Sequence, residues 1–582
     1  MAMGNRTTGL SRAFAGAGVG LRFALAPMRG AELSLPFPRM KFAPLLFAAA
    51  LACTFPLSGR AAEPPKLVLA IVVDQLRYDY LERFHDQFPE GGFRLLTDQG
   101  AFMTFAHYDY SPTVTGPGHA SFLSGASPSV HGVIGNDWFD KATRKLINCV
   151  SDPDVAGVGG KEGEGNRSPR NFIGSNFSDE MRLRFQSKVV GVAIKDRGAI
   201  LPAGKKPAGA YWFDSVSGNF ITSTYYRTEL PAWVRAFNDR KRPASFVGQT
   251  WKRLLAPESY HWPDDAVGEG LMPREKTPTF DHVVHPSPTD GLETIVATPF
   301  GNQLLTEFAL AAIEGEKLGT GSRPDVLTIS YSSVDIAGHR FGPYSQEAQD
   351  MILRLDRDLA QLFAAIDQKV GLKNVIIVLS SDHGVAPTPE FAAAQGLGGD
   401  RIAMAPLMTD LQAKLAERFG PGEMLITPRP VDGNLYFDHA ALRTRQIEPE
   451  AVAAFIRRWA LDTGKFQAAF TRDQLLDGRA PGVIGQRALR GFHAERSGDV
   501  VLLLKPFTLA ATAKSGTTHG SAFSYDTHIP VLFYGVPFKR GRYADEFSIT
   551  DIAPTLSAAL RVSVPSGSMG KPFVKVLAEQ AP

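Results

Sequence analysis

VLTISYSSVDIAGHRFGPYSQEAQDMILRLDRDLAQLFAAIDQKVGLKNVIIVLSSDHG, residues 326–384, holds two short apolar runs with a helical period between them. Val326–Tyr331 and Val375–Leu379 are dense in apolar residues rather than strictly alternating, the pattern of strands covered on both faces. Between them Ile352, Leu355, Leu359, Leu362, Phe363 and Ile366 recur at three- and four-residue spacing, which makes one apolar stripe along a helix. Strand, helix, strand is the unit that joins parallel strands. Leu67–Val73 (LVLAIVV) and Val531–Tyr534 repeat the strand pattern. The expected fold is therefore α/β, a mostly parallel central sheet sandwiched by helices.

Polar residues follow these runs abruptly. Asp74 ends the first, Asp335 and His339 come after Tyr331, Asp382-His383 after Leu379, and His519 precedes Val531. Ligands of open α/β sheets collect at the carboxyl ends of the strands, so these acids and histidines are candidates for one site.

Composition narrows the class. With 582 residues, 44% hydrophobic and 21% charged, the chain is an ordinary globular protein rather than a fibrous or disordered one. Two cysteines exclude a disulfide scaffold or a cysteine-rich metal site. The net charge of +3 conceals an asymmetry, because seven basic residues and only Glu32 fall in the first 62 positions. The rest is mildly acidic and gives no case for nucleic-acid binding.

Residues 40–62 (MKFAPLLFAAALACTFPLSGRAA) put Arg39 and Lys41 ahead of an apolar stretch, with Ala61-Ala62 as a cleavage site. That is the pattern of an export signal, in which Met40 competes with Met1 as the start. The apolar stretch is shorter than the ~20 residues of a spanning helix. The expectation is a periplasmic or secreted protein beginning near Glu63, not stably inserted in the membrane after signal removal. Cys149 is then its one thiol. Residues 63–582 are read as one catalytic domain, with insertions at about 200–290 and 400–510 that shape access to the site.

Asp335-x-x-x-His339 and Asp382-His383-Gly384 are each too common to mean much alone, and each reads equally as capping or turn residues. Three aspartates and three histidines at strand ends read differently. A nitrogen and oxygen donor set without cysteine suits Zn²⁺, with Mn²⁺ or Co²⁺ as alternatives. Six ligands exceed the need of one tetrahedral ion, so two ions are expected. In Ser111-Pro-Thr-Val-Thr115-Gly-Pro-Gly-His119 the breakers place Thr115 where a helix begins, at a helix end that favours anions. Thr115 is there either an N-cap or a hydroxyl nucleophile activated by a metal.

Thr113 to His119, together with Asn136 in HGVIGND, resembles the alkaline phosphatase superfamily. It is most similar to the branch shared by nucleotide pyrophosphatase/phosphodiesterases and the bacterial alkaline phosphatases that use a threonine nucleophile. The order Asp74, Thr115, Asn136, Asp335, His339, Asp382, His383, His519 follows that branch throughout. Lys195-Asp-Arg197 resembles the element that marks its monoesterases, and two cations suit the extra charge of a monoester dianion. The resemblance implies two Zn²⁺ per active site. Asp74, Asp382 and His383 would hold one together with Thr115; Asp335, His339 and His519 would hold the other, at the departing oxygen. Asn136, Lys195 and Arg197 would grip the phosphoryl oxygens. It implies hydrolysis of small-molecule phosphate monoesters to alcohol and inorganic phosphate through a phosphothreonine. A phosphodiesterase with the same metal core is the alternative; an inactive phosphate- or metal-binding protein and a membrane-surface structural protein are the remote ones. His119 and His131 are read as structural, and His528 competes with His519 as the last ligand.

Overall fold

Every residue of Leu67–Val73 (β1) is buried, and its alternate side chains face two different cores. Leu67, Leu69, Ile71 and Val73 share one apolar cluster with Leu304, Phe308, Ile352, Leu355, Leu359 and Phe363. Val68, Ala70 and Val72 share another with Phe122, Met181, Ile552 and Leu556. A strand covered on both faces needs apolar residues at every position, which is what the sequence supplies. The computed structural model describes residues 65–286 and 292–578. The N-terminal extension and export signal expected over 1–62 lie outside the described residues.

The central sheet is built in chain order from β1, Ala101–His107 (β2), Val189–Ala193 (β3), Gly209–Asp214 (β4), Asn219–Ser223 (β5), Asp325–Tyr331 (β6), Val375–Ser380 (β7) and His528–Tyr534 (β8). Across the sheet the order is β2-β8-β7-β1-β6-β3-β4-β5, with short strands added beside β2 and β5. The run β7-β1-β6-β3-β4 is parallel. β8 is antiparallel to both β7 and β2, and β5 is antiparallel to β4, so the sheet is mixed at its margins. β4 and β5 come from the 200–290 stretch. Much of 400–510 forms a smaller unit: a three-stranded sheet of Asn434–Leu435, Val500–Leu504 and Phe466–Thr471. Helix residues Leu411, Leu415, Val452 and Ile456 pack with Leu435 and Val500 of that sheet.

Five helices matter to the site: Thr115–Ser124 (α1), Asp196–Ile200 (α2), Pro299–Glu316 (α3), Ser333–Phe341 (α4) and Gln346–Lys369 (α5). α3 and α5 cover one face of the sheet through the first cluster. Register fixes the rest. Val73 pairs with Tyr331 and Val72 with Ser380, so the residues leaving β1, β6 and β7 emerge side by side. No helix among the described residues is long and apolar enough to cross a membrane.

Candidate active site

Asp74 leaves β1 directly, Asp335 lies in the first turn of α4 just beyond β6, and Asp382 and His383 follow β7. His339 stands one turn along α4 from Asp335, with its Nε2 3.2 Å from Asp335 Oδ1. His519 arrives on a loop before β8 and puts its Nε2 3.5 Å from the same oxygen. His383 Nε2 is 3.4 Å from Asp74 Oδ1 and 3.3 Å from Asp382 Oδ2. Ligand atoms of Asp335, His339 and His519 lie within 4.8 Å of one another, as do those of Asp74, Asp335 and His383. Asp335 thus joins two adjoining groups, and Asp382 borders the second.

The donors are arranged to accept cations. His339 Nδ1 is 2.9 Å from Thr517 O, His383 Nδ1 2.9 Å from Gly384 O and His519 Nδ1 2.8 Å from Thr113 O. A carbonyl only accepts, so each Nδ1 carries a proton and each Nε2 is turned into the site, the orientation of metal-ligating histidine. Asp74 Oδ1 and Asp382 Oδ2 are buried without a hydrogen-bond partner, a costly state unless a cation meets them. Burial, then the charges of Asp335 and Asp382, push the Asp74 carboxyl well above its usual range. Burial works against Asp335 as well, but His339 and Lys195 hold it well below. Burial lowers both His383 and His519, which keeps them in the neutral form that ligates. The residues present therefore fit two metal ions.

Thr115 is the first residue of α1, and the N-cap is Val114, so its hydroxyl is not used in capping. Its Oγ1 lies 3.5 Å from His383 Nε2 and 3.5 Å from Lys195 Nζ. Lys195 caps α2 and sets its ammonium 2.6 Å from Asp74 Oδ2 and 2.5 Å from Asp335 Oδ2. Those two carboxylates outweigh burial and raise its pKa. Arg197 is buried at Nε, which has no partner; despite that burial, the charges of Asp196 and the site acids keep its pKa up. Asn136 reaches α1 from a loop, its Oδ1 accepting from Gly116 N at 2.7 Å; its NH₂ is the donor that remains. The ten residues singled out in the sequence thus gather at one end of the sheet. His528 does not join them: it stacks on Tyr78 and His107, and Nε2 bonds Thr104 O. His131 bonds Ser121 Oγ on α1.

Other residues at the site were not among the candidate ligands read from the sequence. Gln75 has a left-handed backbone (φ 67°), and its Nε2 donates to Asp335 Oδ1 at 2.7 Å while its N–H donates to Asp382 Oδ1 at 3.1 Å. His119, read from the sequence as structural, sits against the site, with Nδ1 2.9 Å from Thr115 O and 3.3 Å from Asp382 Oδ2. Asp432, from the small unit, accepts from Asn136 N at 3.1 Å. The contacts of Gln75 and Asp432, and that of His119 with Asp382, have no signal in local sequence; each is a meeting of distant segments.

The sequence model for "Type I phosphodiesterase / nucleotide pyrophosphatase" matches residues 68–526. Alkaline phosphatase PafA of Elizabethkingia meningoseptica is 40% identical over 523 residues, 89% of this chain and 95% of that protein. Alkaline phosphatase PhoV of Synechococcus elongatus is 37% identical over 522 residues, covering 88% and 93%. The crystal structure of wild-type alkaline phosphatase PafA superposes with a TM-score of 0.85, over 89% of this chain and all of that one. With its strand ends, donor set and helix-start threonine in that order, the chain belongs to the type I phosphodiesterase / nucleotide pyrophosphatase family.

Proposed function

We propose that this protein is an exported, zinc-dependent alkaline phosphatase that hydrolyses phosphate monoesters through a phosphothreonine. The observation that carries the reading is Lys195 Nζ, 3.5 Å from Thr115 Oγ1, with Arg197 two residues on in α2 and facing the charges of Asp74 and Asp335. A monoester dianion shares two negative charges among three oxygens, and two cations at the site favour it over a diester, whose second ester group carries no charge. Relatives named alkaline phosphatase over most of the chain support the same conclusion.

Asp74, Asp382 and His383 would hold one Zn²⁺ beside Thr115, and Asp335, His339 and His519 the second. Bound there, zinc lowers the pKa of a coordinated hydroxyl and stabilises charge on a departing oxygen. The chain's own residues do the rest. Asn136, Lys195 and Arg197 bind the non-bridging oxygens and fix phosphorus in front of Thr115 Oγ1, at the positive end of α1. Thr115 Oγ1 gives up its proton and forms the O–P bond as the bond to the alcohol oxygen breaks. The alcohol leaves protonated; water then attacks phosphorus from the vacated side, returning Thr115 and releasing inorganic phosphate. His119, hydrogen-bonded to the Thr115 carbonyl, and Gln75 hold the nucleophile and the carboxylates in place.

The test compares p-nitrophenyl phosphate with bis-p-nitrophenyl phosphate on zinc-loaded protein. Monoester turnover is expected to dominate and to vanish in Thr115→Ala and after chelation. In Lys195→Ala and Arg197→Ala, monoester kcat/KM should fall about 10²–10³-fold, with diester turnover changed less than tenfold. A diester preference in the wild type, or activity that survives in Thr115→Ala, overturns the reading.

A further inference from the structure

A cleft of about 750 Å³ opens beside His519. It is lined by Val114, the residue before Thr115, and by Ile402, Met404, Leu502 and Leu504 from the small unit and its approach. Its charged lining is Asp137, Asp432 and Asp526 against a single cation, Arg429. Such a cleft disfavours a phosphate group and accepts an uncharged, apolar body. Its place is what gives it meaning. Thr115 Oγ1 adjoins His383, on the Asp74 side of the donor cluster. In-line displacement puts the departing oxygen opposite the nucleophile, which is toward the group formed by Asp335, His339 and His519. His519 belongs to that group and also lines the cleft.

We infer that this cleft is the subsite for the leaving alcohol, and that it selects monoesters of apolar alcohols, alkyl and aryl phosphates, over those of small polar ones. The inference rests on the monoesterase reading above and adds to it the part of the substrate that the phosphate-binding residues do not see. The small unit then acts in specificity through apolar area, since burying one methylene is worth about fourfold in binding.

Ethyl, butyl and hexyl phosphate test it. Their alcohols differ little in acidity, so the chemical step stays constant along the series and kcat/KM reports contact with the alcohol. On the full, zinc-loaded chain, kcat/KM is expected to rise about two- to fourfold per methylene. Within Met404→Asp, at the half-buried edge of the cleft, and within the milder Ile402→Thr, the rise should shrink to less than 1.5-fold per methylene. The slope within each protein is its own control for folding and zinc content. A flat series in the wild type, with ethyl phosphate turned over, overturns the subsite while leaving the monoesterase reading intact. A slope that both variants preserve places the apolar contact elsewhere and overturns it too. No turnover of any of the three esters sinks both readings together.

Discussion

At the scale of single residues, Gln75 and Gly338 show how closely the carboxylates are held. A Cβ on Gly338 would fall 1.8 Å from Gln75 Oε1. The clashing atom is the end of a flexible side chain, so the fold survives, but Gln75 must swing away from Asp335 Oδ1, which it now meets at 2.7 Å. Gly338→Ala is therefore expected to keep the protein folded while weakening zinc binding about 10–100-fold, the usual effect of losing a partner that orients a ligand. Gln75→Ala should do the same, and the double variant should be no worse than either alone. Zinc titration of the three variants checks this; additive losses would show that the two residues act separately. Asp74, Asp335 and Asp382 were legible in the sequence because each follows an apolar run. Gln75 and Asp432 were not, because their work is a hydrogen bond to a residue far away in the chain. Thr115 stood between two roles in the sequence, and the backbone removes one of them: Val114 occupies the capping position.

At the scale of elements, α1 depends on His131. His131 Nδ1 accepts from Val133 N at 3.1 Å, and Nε2 faces Ser121 Oγ of α1 at 3.0 Å. A ring nitrogen that accepts from a backbone N–H cannot also hold a proton. Burial, and then the neighbouring charge of Arg496, lower the His131 pKa to about 3. The unfolded chain binds this proton below about 6.5, whereas the folded chain refuses it until about 3. Stability from this group is thus complete above pH 6.5 and is lost as pH falls toward 3. In His131→Asn, whose amide oxygen can still accept from Val133 N, the fall of Tm between pH 6.5 and 4 is expected to be shallower, with Tm at pH 8 somewhat lower from lost packing. Thermal melts across that range decide it; identical slopes would remove His131 as the cause. Element type was readable here and strand direction was not. β8 and β1 are both apolar runs, and nothing in such a run says that β8 lies antiparallel to β7. The edge pair β4 and β5 was also hidden, because its residues fall in a stretch rich in aromatic and turn residues that obscures the strand pattern.

At the scale of the whole molecule, three carboxylates, Asp74, Asp335 and Asp382, are buried together at one end of the sheet, and among the described residues Lys195 is the ammonium that bonds two of them. Removing zinc should therefore cost global stability as well as activity. A ligand at a thousand times its Kd contributes about 4 kcal/mol to the folded state, so chelation is expected to lower Tm by several degrees and re-addition of zinc to restore it. An unchanged Tm would mean that the cluster carries no tightly held ion.

The donor groups come from strand ends and loops that the chain reaches at residues 74, 335–339, 382–383 and 519, and they meet only where β1, β6 and β7 lie in register. No local stretch offers more than two of them, so a partly folded chain has nothing tight to offer a metal. Metal capture is then expected to follow assembly of the sheet. In refolding, recovery of the native circular dichroism should precede the onset of phosphatase activity, with zinc setting the length of that lag and leaving the rate of folding untouched.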